Sequence, residues 1–129
     1  MLTISLQPRF SETDALGHIN NTVVPVWFET ARVPVFEIFN PTQSLTKWNL
    51  ILAKIEVNYV AQMSYNANVE IRTFVKRIGN SSLTLLQEVW QQDQKVAFGE
   101  CVLVKFDYGT NQSCAISESE QYSLKKHIR

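Results

Sequence analysis

The sequence predicts an α+β domain in which one antiparallel sheet is covered on its inner face by an apolar helical segment. Three observations lead there. A helical apolar pattern runs from about Thr22 to Phe39, and four runs rich in β-branched and aromatic residues follow Trp48. The turns between those runs are too short for anything but antiparallel neighbours. The 129 residues are read as a single domain, 1–129, long enough to bury a core without disulfides or metals.

Leu2, Ile4 and Leu6 alternate with Thr3, Ser5 and Gln7, the pattern of a strand with one buried face, and Pro8 stands near its end. A turn-rich loop, Glu12-Thr-Asp-Ala-Leu-Gly-His18, precedes the helical segment. In that segment Val23, Val26, Trp27, Ala31 and Val35 recur at three- and four-residue steps and are assigned to the buried face. Asn20, Asn21 or Thr22 can cap its first turn, where Pro25 loses no intrahelical donor. Pro34 lacks an N–H and crowds the carbonyl of Thr30, which predicts a kink or break near Arg32–Val33. Asn40-Pro41 ends the element.

The strands are expected at Ile51–Ala61, Val69–Ile78, Ser82–Gln91 and Lys95–Tyr108. Ser64-Tyr65-Asn66, Gly79-Asn80 and Gln92-Asp93-Gln94 separate them. Gly99 is read as a bulge that lets the last strand curve. Ser117 followed by Glu120 is a capping-box pattern, and Lys125, Lys126 and His127 suit the C-terminal end of the short helix it opens.

Composition narrows the function. Twelve basic and twelve acidic residues cancel, so no net field favours nucleic acid or an anionic membrane. No apolar stretch approaches the roughly 20 residues of a membrane span, and the start lacks the pattern of a signal peptide. Cys101 and Cys114 have neither metal-ligand spacing nor a nearby histidine and are expected to be reduced thiols. The expected location is the cytoplasm.

The chemistry concentrates in the loop. Asp14 stands just ahead of a helix whose first N–H groups have no intrahelical partner, and a carboxylate beside such donors can act on a polarised carbonyl. A bland role competes with this, because a loop Asp commonly caps a turn. Further along the chain, Gly79-Asn80-Ser81-Ser82, with Lys76 and Arg77 before it, offers hydroxyls, main-chain N–H groups and cations for amides and phosphates. Ordinary exposed strand-end charges are the competing reading there. Trp27, Phe28, Phe36, Trp48, Tyr59 and Tyr65 are pocket candidates, although aromatics at helix or strand spacing more often belong to the core.

Glu12-Thr13-Asp14-Ala15-Leu16-Gly17-His18-Ile19-Asn20-Asn21 resembles the Asp-Thr-Asp-x-x-Gly-His-x-Asn-Asn loop of the 4-hydroxybenzoyl-CoA thioesterase branch of the hotdog superfamily. Three further segments match in order: Trp27-Phe28-Glu29-x-Ala31-Arg32, Val75 to Ser82, and Val96-Ala97-x-Gly99 with Val104-x-Phe106-Asp107. Glu12 replaces the first Asp, and Asn66 stands where a turn glycine is usual. The resemblance implies the hotdog fold, a sheet wrapped around one long helix, and hydrolysis of an acyl-CoA to a carboxylic acid and free CoA. It implies Asp14 as nucleophile or general base and the backbone N–H of Asn21 as the carbonyl's donor. His18 is given a supporting part. Gly17, Asn20, Lys76, Arg77, Gly79, Asn80, Ser81 and Ser82 are implied in substrate binding. Glu29 resembles a helix acid expected to pair with Arg32 or a partner strand. No cofactor is implied beyond the CoA of the substrate, no metal, and a homodimer or homotetramer is expected. An acyl-carrier-protein thioesterase and a non-catalytic acyl-CoA-binding module are the alternatives.

Overall fold

The computed structural model describes residues 1–129. In chain order the elements are β1 (Leu2–Leu6), α1 (Val23–Ala31), α2 (Val33–Phe39), β2 (Leu50–Ile55), β3 (Asn58–Tyr59), β4 (Val69–Ile78), β5 (Ser82–Gln91), β6 (Gln94–Asp107), β7 (Gln112–Ser113) and α3 (Glu118–Lys125). The sheet runs β1-β4-β5-β6-β2, with β3 and β7 also paired to β6, and every pairing is antiparallel. Curled around α1, it forms the hotdog architecture.

The predicted break falls at Arg32, between α1 and α2. Pro34 brings no N–H to the ladder, and the chain turns as the Arg32 N–H bonds back to Phe28 O and Glu29 O at 3.1 and 3.0 Å. The buried face of α1 is Val23, Val24, Trp27, Phe28 and Ala31. Val26, assigned to that face from its spacing, is 54% exposed. The stripe is centred on Val24, Phe28 and Ala31, which places Val26 on the opposite side of a 3.6-residue turn.

Inside, two apolar clusters are separated by a polar layer. Val24, Phe28, Ile71 and Val89 belong to one cluster, and Val35, Val75, Leu85 and Cys101 to the other. Between them Arg32, Thr73 and Gln87 are buried at equivalent steps of the helix and strands. Arg32 donates from Nη1 to Gln87 Oε1 at 3.2 Å, while Gln87 Nε2 donates to Phe28 O at 3.0 Å and Thr73 Oγ1 at 3.1 Å. Gln87 thus gives a second donor to a carbonyl near the helix end that already accepts from Arg32 N. The expected partnership of Glu29 with Arg32 does not form: Glu29 is exposed, and Arg32 faces the sheet.

The run expected over Ile51–Ala61 is divided. It pairs with β6 up to Ile55 opposite Cys101 and again from Asn58 opposite Phe98. Glu56 and Val57 cross over Gly99 between the two stretches. A Cβ on Gly99 would collide with the Glu56 carbonyl oxygen and lie 2.9 Å from its carbon. Gly99 therefore serves close approach of two backbones and stays in register with Gln87 on β5, which corrects its reading as a bulge. The register shifts elsewhere: in β2 between Leu52 and Lys54, in β4 between Val75 and Arg77, and in β6 at Val96, opposite Val89 and Trp90.

The capping box of α3 is present, with Ser117 Oγ accepting from Glu120 N at 3.2 Å and Glu120 Oε1 from Ser117 N at 2.9 Å. Cys101 and Cys114 are both free. Burial pushes the Cys101 thiol above its usual pKa, although the Arg32 charge acts against this. No helix is long and apolar enough to cross a membrane.

On the outer face, Glu88 is 2% exposed. Burial would raise its pKa, but hydrogen bonds from Trp90 Nε1 and Arg129 Nη1, both at 3.1 Å, and the charges of Arg129 and Lys95 hold it below the ordinary carboxylate value. Such a group adds stability above its unfolded pKa and loses that contribution as pH falls through the lowered one. Because Arg129 and Lys95 are themselves well exposed, Glu88→Gln is expected to cost only about 1–2 kcal/mol at pH 7. The difference from wild type should vanish at acid pH, as read from urea unfolding between pH 7 and 3.

Candidate active site

The loop that carries Asp14 folds as a small pinched hairpin. Asp14 N donates to His18 O at 2.7 Å, Thr13 bridges to Ile19, and Asn20 N closes the base on Glu12 O at 2.8 Å. Gly17 takes φ +81° at the tip, a conformation costly for a residue with a Cβ, and no atom stands within 4 Å of where that Cβ would be. The glycine is there for the turn, not for a close approach inside this protomer. Asp14 Oδ1 accepts from Leu16 N at 2.7 Å and His18 N at 3.1 Å, leaving Oδ2 without a protein donor. His18 orients the carboxylate through its backbone; its side chain makes no hydrogen bond with the protein.

Two anchors fix this hairpin against the fold. The first is Glu12, which is buried at 7% exposure. Its carboxylate accepts from Trp27 Nε1 on α1 at 2.9 Å and from Arg9 N at 2.7 Å, tying the loop base to the helix. The second anchor runs along the other side, where Ile19 N donates to Met63 O at 3.0 Å and His18 bridges to Ser64. Gln91, at the end of β5, holds that segment in turn: its Oε1 accepts from Ser64 N at 2.8 Å, and Nε2 donates to Ser64 O and Ala67 O at 2.8 and 2.9 Å.

Asn20 caps the approach to α1, its Oδ1 accepting from Thr22 N and Thr22 Oγ1, both at 2.9 Å. Asn21 follows in the turn just before Val23, the first residue of α1, and its N–H has no partner in the protein. Asp14, His18 and Asn21 line one open cleft of about 430 Å³ with Leu16, Ile19, Tyr59, Ala61, Gln62 and Met63. Ile19 and Met63 form an apolar floor continuous with the core, and Tyr59 on β3 donates its hydroxyl to Asn21 O.

The other implied binding residues are elsewhere. Lys76 to Ser82 surround the β4–β5 turn, at the opposite end of β5 from Gln91. A ten-residue strand separates the two ends by roughly 30 Å. Lys76 is ion-paired with Glu100, whereas Arg77 is exposed and forms no salt bridge. Gly79 N donates to Ser82 O at 2.7 Å, and Ser81 O and Asn80 O accept from Lys105 N and Ile116 N, both at 2.8 Å. Within one protomer this turn cannot share a ligand with Asp14.

Of the aromatics singled out as pocket candidates, only Tyr59 lines the cleft. Trp27 and Phe28 are core, Phe36 packs edge-on against Trp48, and Tyr65 packs edge-on against Phe10. Sequence reasoning took Glu12 only as a departure from a motif and gave Gln91 no part. An acid flanking the loop was a usable signal for the first, but nothing local marks the second.

Comparison with known proteins bears on this cleft. A family model described as the thioesterase-like superfamily matches residues 8–124. The uncharacterized protein YsmA of Bacillus subtilis is 38% identical over 120 residues, covering 90% of this chain and 80% of that protein. The fold superposes with TM-score 0.96 on a predicted thioesterase from Bacillus stearothermophilus, at 41% identity, covering 99% of this chain and 96% of that one. A thioesterase from Thermus thermophilus, complexed with coenzyme A and Zn, gives TM-score 0.85 at 25% identity, covering 96% and 91% of the two chains.

Proposed function

The chain belongs to the thioesterase-like superfamily, and from that premise we propose that it hydrolyses an acyl-CoA thioester to a carboxylic acid and free CoA. One observation carries the reading. A carboxylate with one oxygen held and one free, Asp14, shares a cleft with an unengaged backbone N–H, that of Asn21.

The Asn21 N–H, just ahead of the positive end of α1, is the donor for the thioester oxygen, and such a donor contributes about 3 kcal/mol to lowering the barrier. Asp14 then acts in one of two ways. Its Oδ2 attacks the carbonyl carbon to give an acyl anhydride that water cleaves, or it takes a proton from the water that attacks. Either way the C–S bond breaks and CoA leaves as a thiolate, a good leaving group. The step calls on no cofactor.

The position of the β4–β5 turn supports a homodimer. Of the two edges of the sheet, β1 and β2–β3, the second exposes Leu52, Ile55 and Tyr59, with Val60 just beyond, and an unpaired apolar edge favours pairing. Two-fold pairing there reverses the partner's strands, so its turn end comes to the same side as this protomer's cleft. Lys76, Arg77 and the Ser81-Ser82 hydroxyls of one subunit would then hold the CoA arm whose thioester meets Asp14 of the other.

The test is thiol release from a panel of short, long and aromatic acyl-CoAs and from an acylated carrier protein. Turnover of an acyl-CoA is expected. Turnover of the carrier-protein substrate alone would move the assignment to that class, and tight CoA binding without turnover would make the protein a binding module.

A further inference from the structure

We infer that Tyr59 is a positioning residue of this site, acting through the Asn21 main chain; the inference rests on the hydrolase reading above. The peptide that carries the Asn21 N–H is held on both sides. On its own carbonyl side, Asn20 O accepts from Val23 N at 3.1 Å, which aims the peptide along the start of α1. On the following side, Asn21 O accepts the Tyr59 hydroxyl. These two bonds fix a residue that lines the cleft and whose N–H has no partner in the protein, and they do so from different elements.

The second bond is the informative one, because Tyr59 comes from β3, 38 residues further along the chain. β3 is a two-residue strand at the edge of the sheet, set by the Glu56–Val57 crossing over Gly99. The tether therefore ties the turn before α1 to the sheet edge, and the two sides of the cleft are held at a set separation. Its ring also walls the cleft beside Ala61 and Gln62. Burial raises the phenol above its usual pKa, so it remains a proton donor throughout the neutral range. A hydroxyl already committed to Asn21 O has no proton to give the substrate, which is why its part is geometric.

Tyr59→Phe keeps the ring and removes only the tether. The expected result is a fall in kcat of about tenfold, the scale of a sub-ångström misplacement of a catalytic group. KM should stay within about twofold, since the wall of the cleft is intact. In 15N-labelled protein the Asn21 amide should become more mobile, as read from its relaxation, with the amides of α1 unchanged. A wild-type kcat in the variant, a change in KM alone, or an unmoved Asn21 amide overturns the inference. Should the wild-type protein cleave no acyl thioester, the hydrolase reading falls, and the Asn21 amide still decides the tether.

Discussion

Asp14→Asn is expected to lower kcat by about 10²–10⁴-fold, the range for removing a group that moves protons or attacks in the transition state. Asn has nearly the size of Asp, and its Oδ1 can still accept from Leu16 N and His18 N, so the hairpin should keep its shape. KM and the thermal midpoint should stay close to wild type. What the amide lacks is a charge on Oδ2 to attack the carbonyl or to receive a proton from water. Steady-state thiol release with the best acyl-CoA of the panel is the measurement. A variant of full activity would remove Asp14 from the mechanism and leave it as a turn cap.

The second large effect concerns stability. Gly99→Ala is expected to destabilise the fold by about 3 kcal/mol, at the upper end for forced overpacking. The atom met by the new methyl is backbone, the Glu56 carbonyl, which has no rotamer to retreat into, and Val57 Cα lies 3.1 Å away. For a chain of this size the thermal midpoint should fall by about 10 °C. Gly109→Ala is the control, because its Cβ would meet only the Asp107 side chain at 3.1 Å. Equal midpoints for the two variants would show that the crossing can open. Because the crossing sets β3, whatever Gly99→Ala protein remains folded should also lose activity through Tyr59.

Much of the fold was legible because its signals are local. The boundaries of β4 and β5 follow from runs of β-branched residues ended by turn residues, and the α3 cap follows from Ser117 and Glu120. Pro34 announced the break at Arg32, since a missing N–H acts on its own turn. The errors fell where distant segments decide. Val26 has the right spacing but the wrong side, which depends on where the sheet lies. The division of β2 from β3, and the real task of Gly99, depend on two backbones crossing more than forty residues apart in sequence.

The site divides along the same line. By its own residues the sequence determined a constrained loop with a carboxylate, an Asx cap and a helix start. Those are turn and capping preferences settled within a few bonds, and the motif they form carries the family. Only the tertiary structure decided that Glu12 is buried against Trp27 and that Gln91 holds Ser64. It also brought Tyr59 to Asn21 and placed the β4–β5 turn a full strand length from Asp14. None of these has a local signature, because each depends on the curl of the sheet bringing together groups that the chain keeps far apart.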